Sequence, residues 1–201
     1  MRDFKHVRLL AASFAIVVPT PAGAQQHLES ANPAVRSRCQ TLAQSVRSNS
    51  GHDLASSLRD LRDCDRTSGV VLAQLWRGTG HTVETLNAML QASADVRDAR
   101  TASAAKLAVD QEGRPVVERA AALSALLTYL RPELVGRVVE QGGLVFVQPV
   151  AQSHHTYVEG EQKFDEVRRS DIAQLFSRLA NSPMRELREI AAFAPVHREK
   201  K

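Results

Sequence analysis

The densest group of side chains able to do chemistry is His154 and His155, followed by Glu159, Glu161 and Asp165. Imidazoles and carboxylates of this kind hold zinc and related cations. The spacing is a poor fit to such a site. Adjacent residues of an extended segment point to opposite sides, and no H-E-x-x-H sets two imidazoles on one helix face. A solvated loop is therefore expected, with a metal-binding or metal-dependent enzymatic role of the His154/His155 loop as the alternative. Elsewhere there is no G-x-S-x-G, and "GTGHTV" at 78–83 lacks the third glycine of a dinucleotide loop. His81 reads as a polar loop residue and Trp76 as a core position at helical spacing. No catalytic residue, metal ligand or cofactor is assigned.

The two cysteines, Cys39 and Cys64, are a different case. A redox pair is usually C-x-x-C, and a closed zinc site needs more ligands than two thiolates and His52. Val35, Cys39, Leu42 and Val46 form one helical stripe; Leu54, Leu58, Leu61 and Cys64 form another. "SNSG" and Asp53 between them combine turn residues with a helix cap. The two sulfurs lie at similar distances from that turn, so they sit level on the seam of a helix hairpin. A disulfide is expected.

An oxidising compartment agrees with the N-terminus. Arg2, Lys5 and Arg8 precede the apolar run "LLAASFAIVV", and "PTPAGA" follows, the layout of a secretory signal over 1–24 cut before Gln25. The run is too short for a bilayer span, which takes about 20 residues, and no later segment is apolar for long enough to be a membrane helix. The expected product is exported to the periplasm or the extracellular space. The full chain carries 26 basic and 22 acidic side chains; without Arg2, Lys5, Arg8 and Asp3 the balance is 23 to 21. That near-neutral, interspersed pattern excludes the concentrated positive surface that nucleic acid requires.

The elements that would position these residues are mostly helical. A flexible segment at 25–32 leads into a helical domain over 33–142. Its helices follow the cysteine hairpin at "TSGVVLAQLWR", then after Thr82, after Asp95 and after Pro115. Val96, Ala99, Ser103 and Leu107 are expected to share one face. Val116, Ala120, Leu123, Leu127 and Leu130 make the clearest stripe. "ELVGRVVEQ" reads as a further short helix. An insertion at 143–163 has strand character in "GGLVFVQPV" and at 156–158, which suggests a hairpin of 144–148 with 155–158 or an ordered loop. A C-terminal helix pair fills 164–195, with Pro183 opening the last helix, and 196–201 is a polar tail.

Three segments look alike: "ADVRDARTASAAKLA", "RPVVERAAALSALLT" and "SPMRELREIAAFA". Each has a turn residue, an apolar and arginine-bearing first turn, and small residues ending in leucine or phenylalanine. This resembles the HEAT-like helical repeat, with matching positions at Val96 and Arg97, Val117 and Arg119, and Leu187 and Arg188. The resemblance covers about half the chain. It implies an all-α fold of antiparallel helix pairs, stacked as a short α-solenoid or an irregular bundle. It also implies a surface offered to another protein rather than a catalytic centre.

Overall fold

The computed structural model describes residues 29, 32–48, 51–152 and 157–194. The expected signal segment 1–24, the tail 196–201 and the pair His154 and His155 lie outside them. Among the described residues the chain is mainly helical, with two small two-stranded sheets.

The helices are α1 (Pro33–Ser48), α2 (Gly51–Arg59), α3 (Asp65–Arg77), α4 (Val83–Asp95), α5 (Ala99–Asp110), α6 (Val116–Leu130), α7 (Glu166–Leu179) and α8 (Arg185–Ala191). A 3₁₀ turn, Asp60–Asp63, continues α2 towards Cys64. Side by side in one row stand α1, α3 and α5, and beside them α2, α4, α6 and α8 form a second row. An ion pair between Arg178 and Asp110 ties α7 to the end of α5.

Cys39 and Cys64 are bonded, with Cα atoms 5.5 Å apart, and both are buried beside Leu58, Leu61 and Val46. The helix hairpin read from the two apolar stripes is present. Thr82 caps α4 by accepting from the Thr85 amide at 3.2 Å, as its residue type suggests.

Helix α6 is the centre of the molecule. Every residue from Glu118 to Tyr129 is buried, and α4, α5, α7, α8 and the hairpin strands all pack on it. A helix that is apolar all round has to be enclosed. Its Ala120, Ala121, Ala122 and Ala125 are buried, as are Ala104, Ala105 and Ala108 of α5, which packs on it.

Five expectations are corrected. "ELVGRVVEQ" is not a helix but strand β2 (Leu134–Gln141), paired antiparallel with β3 (Leu144–Ala151). Gly142 and Gly143, with φ of 59° and 76°, form the two-residue turn, a conformation that suits glycine. A side chain at Gly136 would overlap Ser124 Oγ of α6, so the strand lies flat on that helix only with glycine there.

The hairpin's partner strand is therefore upstream of 144–148, not downstream. Val158–Glu159, named β4, instead pairs in parallel with Val96–Arg97, named β1. Consequently α5 starts at Ala99, not after Asp95, and Asp98 is its cap. The Val96–Leu107 stripe also fails, because Leu107 is 63% exposed and the buried face runs through Ala102, Ala105 and Val109. Of the HEAT-like positions, Val96 and Arg97 lie in β1, whereas Val117, Arg119, Leu187 and Arg188 lie in helices. The fold is thus mainly α rather than all-α.

The disulfide closes the first helix hairpin. Replacing both Cys39 and Cys64 by alanine should cost about 3.5 kcal/mol for a loop of this length. Denaturant unfolding of the oxidised parent and the double variant measures it.

Candidate functional site

The segment after the hairpin returns to the helical body and is fastened there by a buried polar cluster. Asp98 is fully buried at the start of α5. Its Oδ1 accepts from the Arg100 amide at 2.8 Å and from Arg100 Nε at 2.9 Å. Its Oδ2 accepts from Arg100 Nη2 at 2.8 Å and from the Gln162 amide at 3.1 Å. The carboxylate lies between two glycines, Gly69 of α3 and Gly160 beyond β4, and a Cβ at either would overlap it. Its backbone brackets the Tyr129 hydroxyl, which donates to the Asp98 carbonyl at 3.0 Å and accepts from the Asp98 amide at 3.2 Å. Burial pushes that phenol well above its ordinary pKa, so Tyr129 stays protonated.

Arg97, one residue earlier in an extended segment, points the other way. Its guanidinium stands over the rings of Tyr157, Tyr129 and Phe164, with centroids at 4.4, 5.4 and 5.7 Å. Nη2 donates to the Tyr129 carbonyl at 2.6 Å. The insertion's return leg is thereby held through Tyr157 and Phe164 as well as through Gly160 and Gln162. Two further backbone bonds, from Gly160 N–H to the Arg97 carbonyl and from Ala99 N–H to the Gln162 carbonyl, complete the attachment.

Glu161 extends the cluster to the surface. It accepts from Arg66 of α3 at 2.7 Å and from Arg100 at 3.0 Å. The hydrogen bond from Arg66 holds its carboxyl below the usual range, and Arg100 adds to this. Arg100 in turn is raised, chiefly by its bond to Asp98.

Of the metal-loop residues, Glu159, Glu161 and Asp165 are described, whereas His154 and His155 lie outside the described residues. Glu161 is engaged by two arginines, and Asp165 caps α7 by accepting from the Arg168 amide at 2.9 Å. Glu159 lies in β4. Among the described residues no three His, Cys, Asp or Glu side chains are grouped to hold a metal. His81 is positioned by its loop: its amide donates to Glu118, and its Nε2 lies 3.0 Å from the Leu75 carbonyl. Trp76 is core, with its indole N–H donating to Ser93 Oγ at 3.0 Å.

Sequence reasoning missed Asp98, Arg100 and Glu161 as one unit. A usable signal is present: Gly69 sits inside an otherwise good helix, which suggests a close approach by something else.

The hairpin behaves differently from its return leg. Val138 of β2 is held on its outer edge by Asn87 of α4, whose amide accepts from Val138 N–H at 2.8 Å and donates to its carbonyl at 3.0 Å. Among the described residues strand β3 has a partner strand on one edge only. With 141 and 144 flanking the turn as a bonded pair, the N–H and C=O groups of Val145 and Val147 face outward. Leu144 is 71% and Val145 39% exposed. No charged residue occurs from 141 to 152.

Comparison with protein-family models, with curated proteins and with solved structures gives no match. Among the described residues no helix is long and apolar enough to cross a membrane.

Asp98→Asn should destabilise the protein by about 3 kcal/mol, because an amide cannot accept from the arginine fork and the Gln162 amide together. Denaturant unfolding of the variant checks this. Glu161 has a depressed pKa in the folded state, so its contribution is present at neutral pH and is lost on acidification through that folded pKa. The Tm difference between parent and Glu161→Gln should be open at pH 7 and close below about pH 4. A difference independent of pH would contradict the assignment.

Proposed function

We propose that the chain is an exported, non-catalytic helical-repeat protein that works as a protein–protein interaction module. The row of α1, α3 and α5 beside the row of α2, α4, α6 and α8 is the order that successive stacked helix pairs produce, and it supports the repeat reading. The disulfide and the layout of the first 24 residues support export. The buried charges support a structural role for the polar clusters, since Asp98 accepts four hydrogen bonds from Arg100 and backbone amides and Glu118 lies against Arg114 and the Gly80 and His81 amides.

The observation that carries the proposal is the outer edge of β3. Sheet edges are usually guarded by charge, by proline or by a covering element. Here the stretch from Leu144 to Gln148 is apolar or uncharged, partly exposed, and presents two outward residues with unpaired backbone groups. Pro149 is a guard, and it sits beyond that stretch; α8 packs against the same strand. The edge fits an extended, uncharged segment of another protein added as a third strand, with backbone bonds for affinity and Leu144 and Val145 as apolar contacts.

Val145→Pro tests this selectively. Position 145 faces outward like Pro149, so proline there removes an edge donor without breaking a β2–β3 bond. Cross-linking in the exported fraction should join a partner to 144–148 in the parent, and Val145→Pro should lower that yield about tenfold, as loss of a well-made backbone contact predicts. Its thermal unfolding should stay cooperative. Equal yields for the two proteins, or no cross-link at 144–148, would reject the reading.

A further inference from the structure

Arg119 of α6 is a nearly buried cation, 7% exposed, and among the described residues no carboxylate pairs with it. Nε donates to the Val109 carbonyl near the end of α5 at 2.8 Å, and Nη1 donates to the Met184 sulfur at 3.3 Å. Arg100 and Arg114, by contrast, each face a carboxylate. A thioether is a weak acceptor. One donor of this buried guanidinium is therefore poorly answered.

The backbone around Met184 holds the sulfur where it is. Met184 immediately precedes α8; its carbonyl accepts from the Arg188 amide at 3.1 Å, and its amide donates to Ser182 Oγ at 3.2 Å. Its side chain packs on the core yet is only half-buried. Of the chain's three methionines, Met1 lies outside the described residues and Met89 is fully buried. Among the described residues, Met184 is thus the methionine that an oxidant can reach.

From this pairing we propose that Met184 is a methionine-oxidation site whose sulfoxide is received by Arg119. An oxidant of the peroxide class transfers one oxygen to the sulfur. The S–O bond forms, the O–O bond breaks, the thioether gives up two electrons and the peroxide is reduced to water. Such oxidation usually disrupts a packed contact, because an apolar side chain becomes polar. Here the new oxygen meets a cation. A rotation about the flexible torsions of Met184 lets the S=O group accept a charge-assisted bond from Nη1 in place of the weak sulfur contact. The contact between α6 and α8 survives oxidation for that reason.

Dilute hydrogen peroxide, added to the folded, disulfide-bonded protein, is the probe. After tryptic digestion the peptide 179–185, which holds Met184, should gain one oxygen atom, while the peptide 78–97, which holds Met89, should not. Thermal unfolding then reads the role of Arg119. Oxidation should lower Tm by a few degrees more in Arg119→Leu than in the parent, because that variant leaves the sulfoxide without its donor. In spectra of isotope-labelled parent, the Arg119 Nε–H resonance should move on oxidation, a response that a purely structural methionine would not give. Should Arg119→Leu fail to fold, Met184→Gln and Met184→Leu replace it in the comparison. The glutamine carbonyl stands in for the sulfoxide oxygen, so Met184→Gln should melt at or above Met184→Leu. An unmodified Met184 in the folded parent, equal Tm shifts in parent and Arg119→Leu, an unmoved Arg119 resonance, or a glutamine variant that melts below the leucine one would overturn the proposal.

Discussion

The carboxylate of Asp98 is the interaction on which the arrangement depends. It is a full negative charge with no exposed surface, and it is tolerable only because four donors converge on it. Those donors come from its own helix and from the returning leg of the insertion. Its backbone adds Tyr129 of α6, and its flanks rest on Gly69 of α3 and on Gly160. One side chain therefore sets the relative position of three helices and a strand. Gly69 and Gly160 follow from this constraint, since any larger residue would displace the carboxylate from its donors. The desolvation cost is offset only when the whole set is in register, which is how a buried charge selects one arrangement among near-equals.

Arg97 shows why two opposite charges stand side by side in sequence without pairing. The backbone is extended from β1 through Asp98, so their side chains alternate and each takes a separate shell. Asp98 faces the amides and the Arg100 fork. Arg97 faces three aromatic rings and the Tyr129 carbonyl, surroundings that a weakly hydrated, planar guanidinium accepts better than an ammonium would. The return leg is clasped from both sides as a result. The hairpin is held through β2, by Asn87 and by the flat contact of Gly136 on α6, and through β3, which packs on α6 and α8.

Much of the helical frame is legible in the sequence because a period of 3.6 needs only local information. The cysteine hairpin, the cap at Thr82 and the last helix after Pro183 are of this kind. What is not legible depends on partners distant in the chain. "ELVGRVVEQ" has apolar residues compatible with either period; the Gly142–Gly143 turn and the closeness of Ser124 decide for a strand. Asp95 and Asp98 are equally good caps by type, and β4 decides between them by taking Val96 and Arg97 into a parallel pair. Leu107 carries the correct spacing for a buried stripe yet is exposed, because an alanine-rich helix can bury its small face instead. Glu161 has the chemistry of a metal ligand, and only the folded structure reveals the two arginines that occupy it.

A second buried pair shows that arginine is used here as a backbone partner as much as a charge. Arg114 and Glu118 are both buried and lie 3.0 Å apart. Burial lowers the pKa of Arg114, a direct sign that the site disfavours its charge, and Glu118 counters the effect. An apolar pair of equal volume would avoid that cost. It would also leave the Trp76 carbonyl at the end of α3 without the Arg114 donor at 2.7 Å. The Gly80 and His81 amides would lose the Glu118 acceptor at 2.8 and 3.1 Å. At the start of α3, Arg100 Nη2 donates to the Arg66 carbonyl at 3.1 Å. Helix α3 is thus tied at its start to α5 by Arg100 and at its end to the α5–α6 connection by Arg114, each arginine paired with a buried carboxylate.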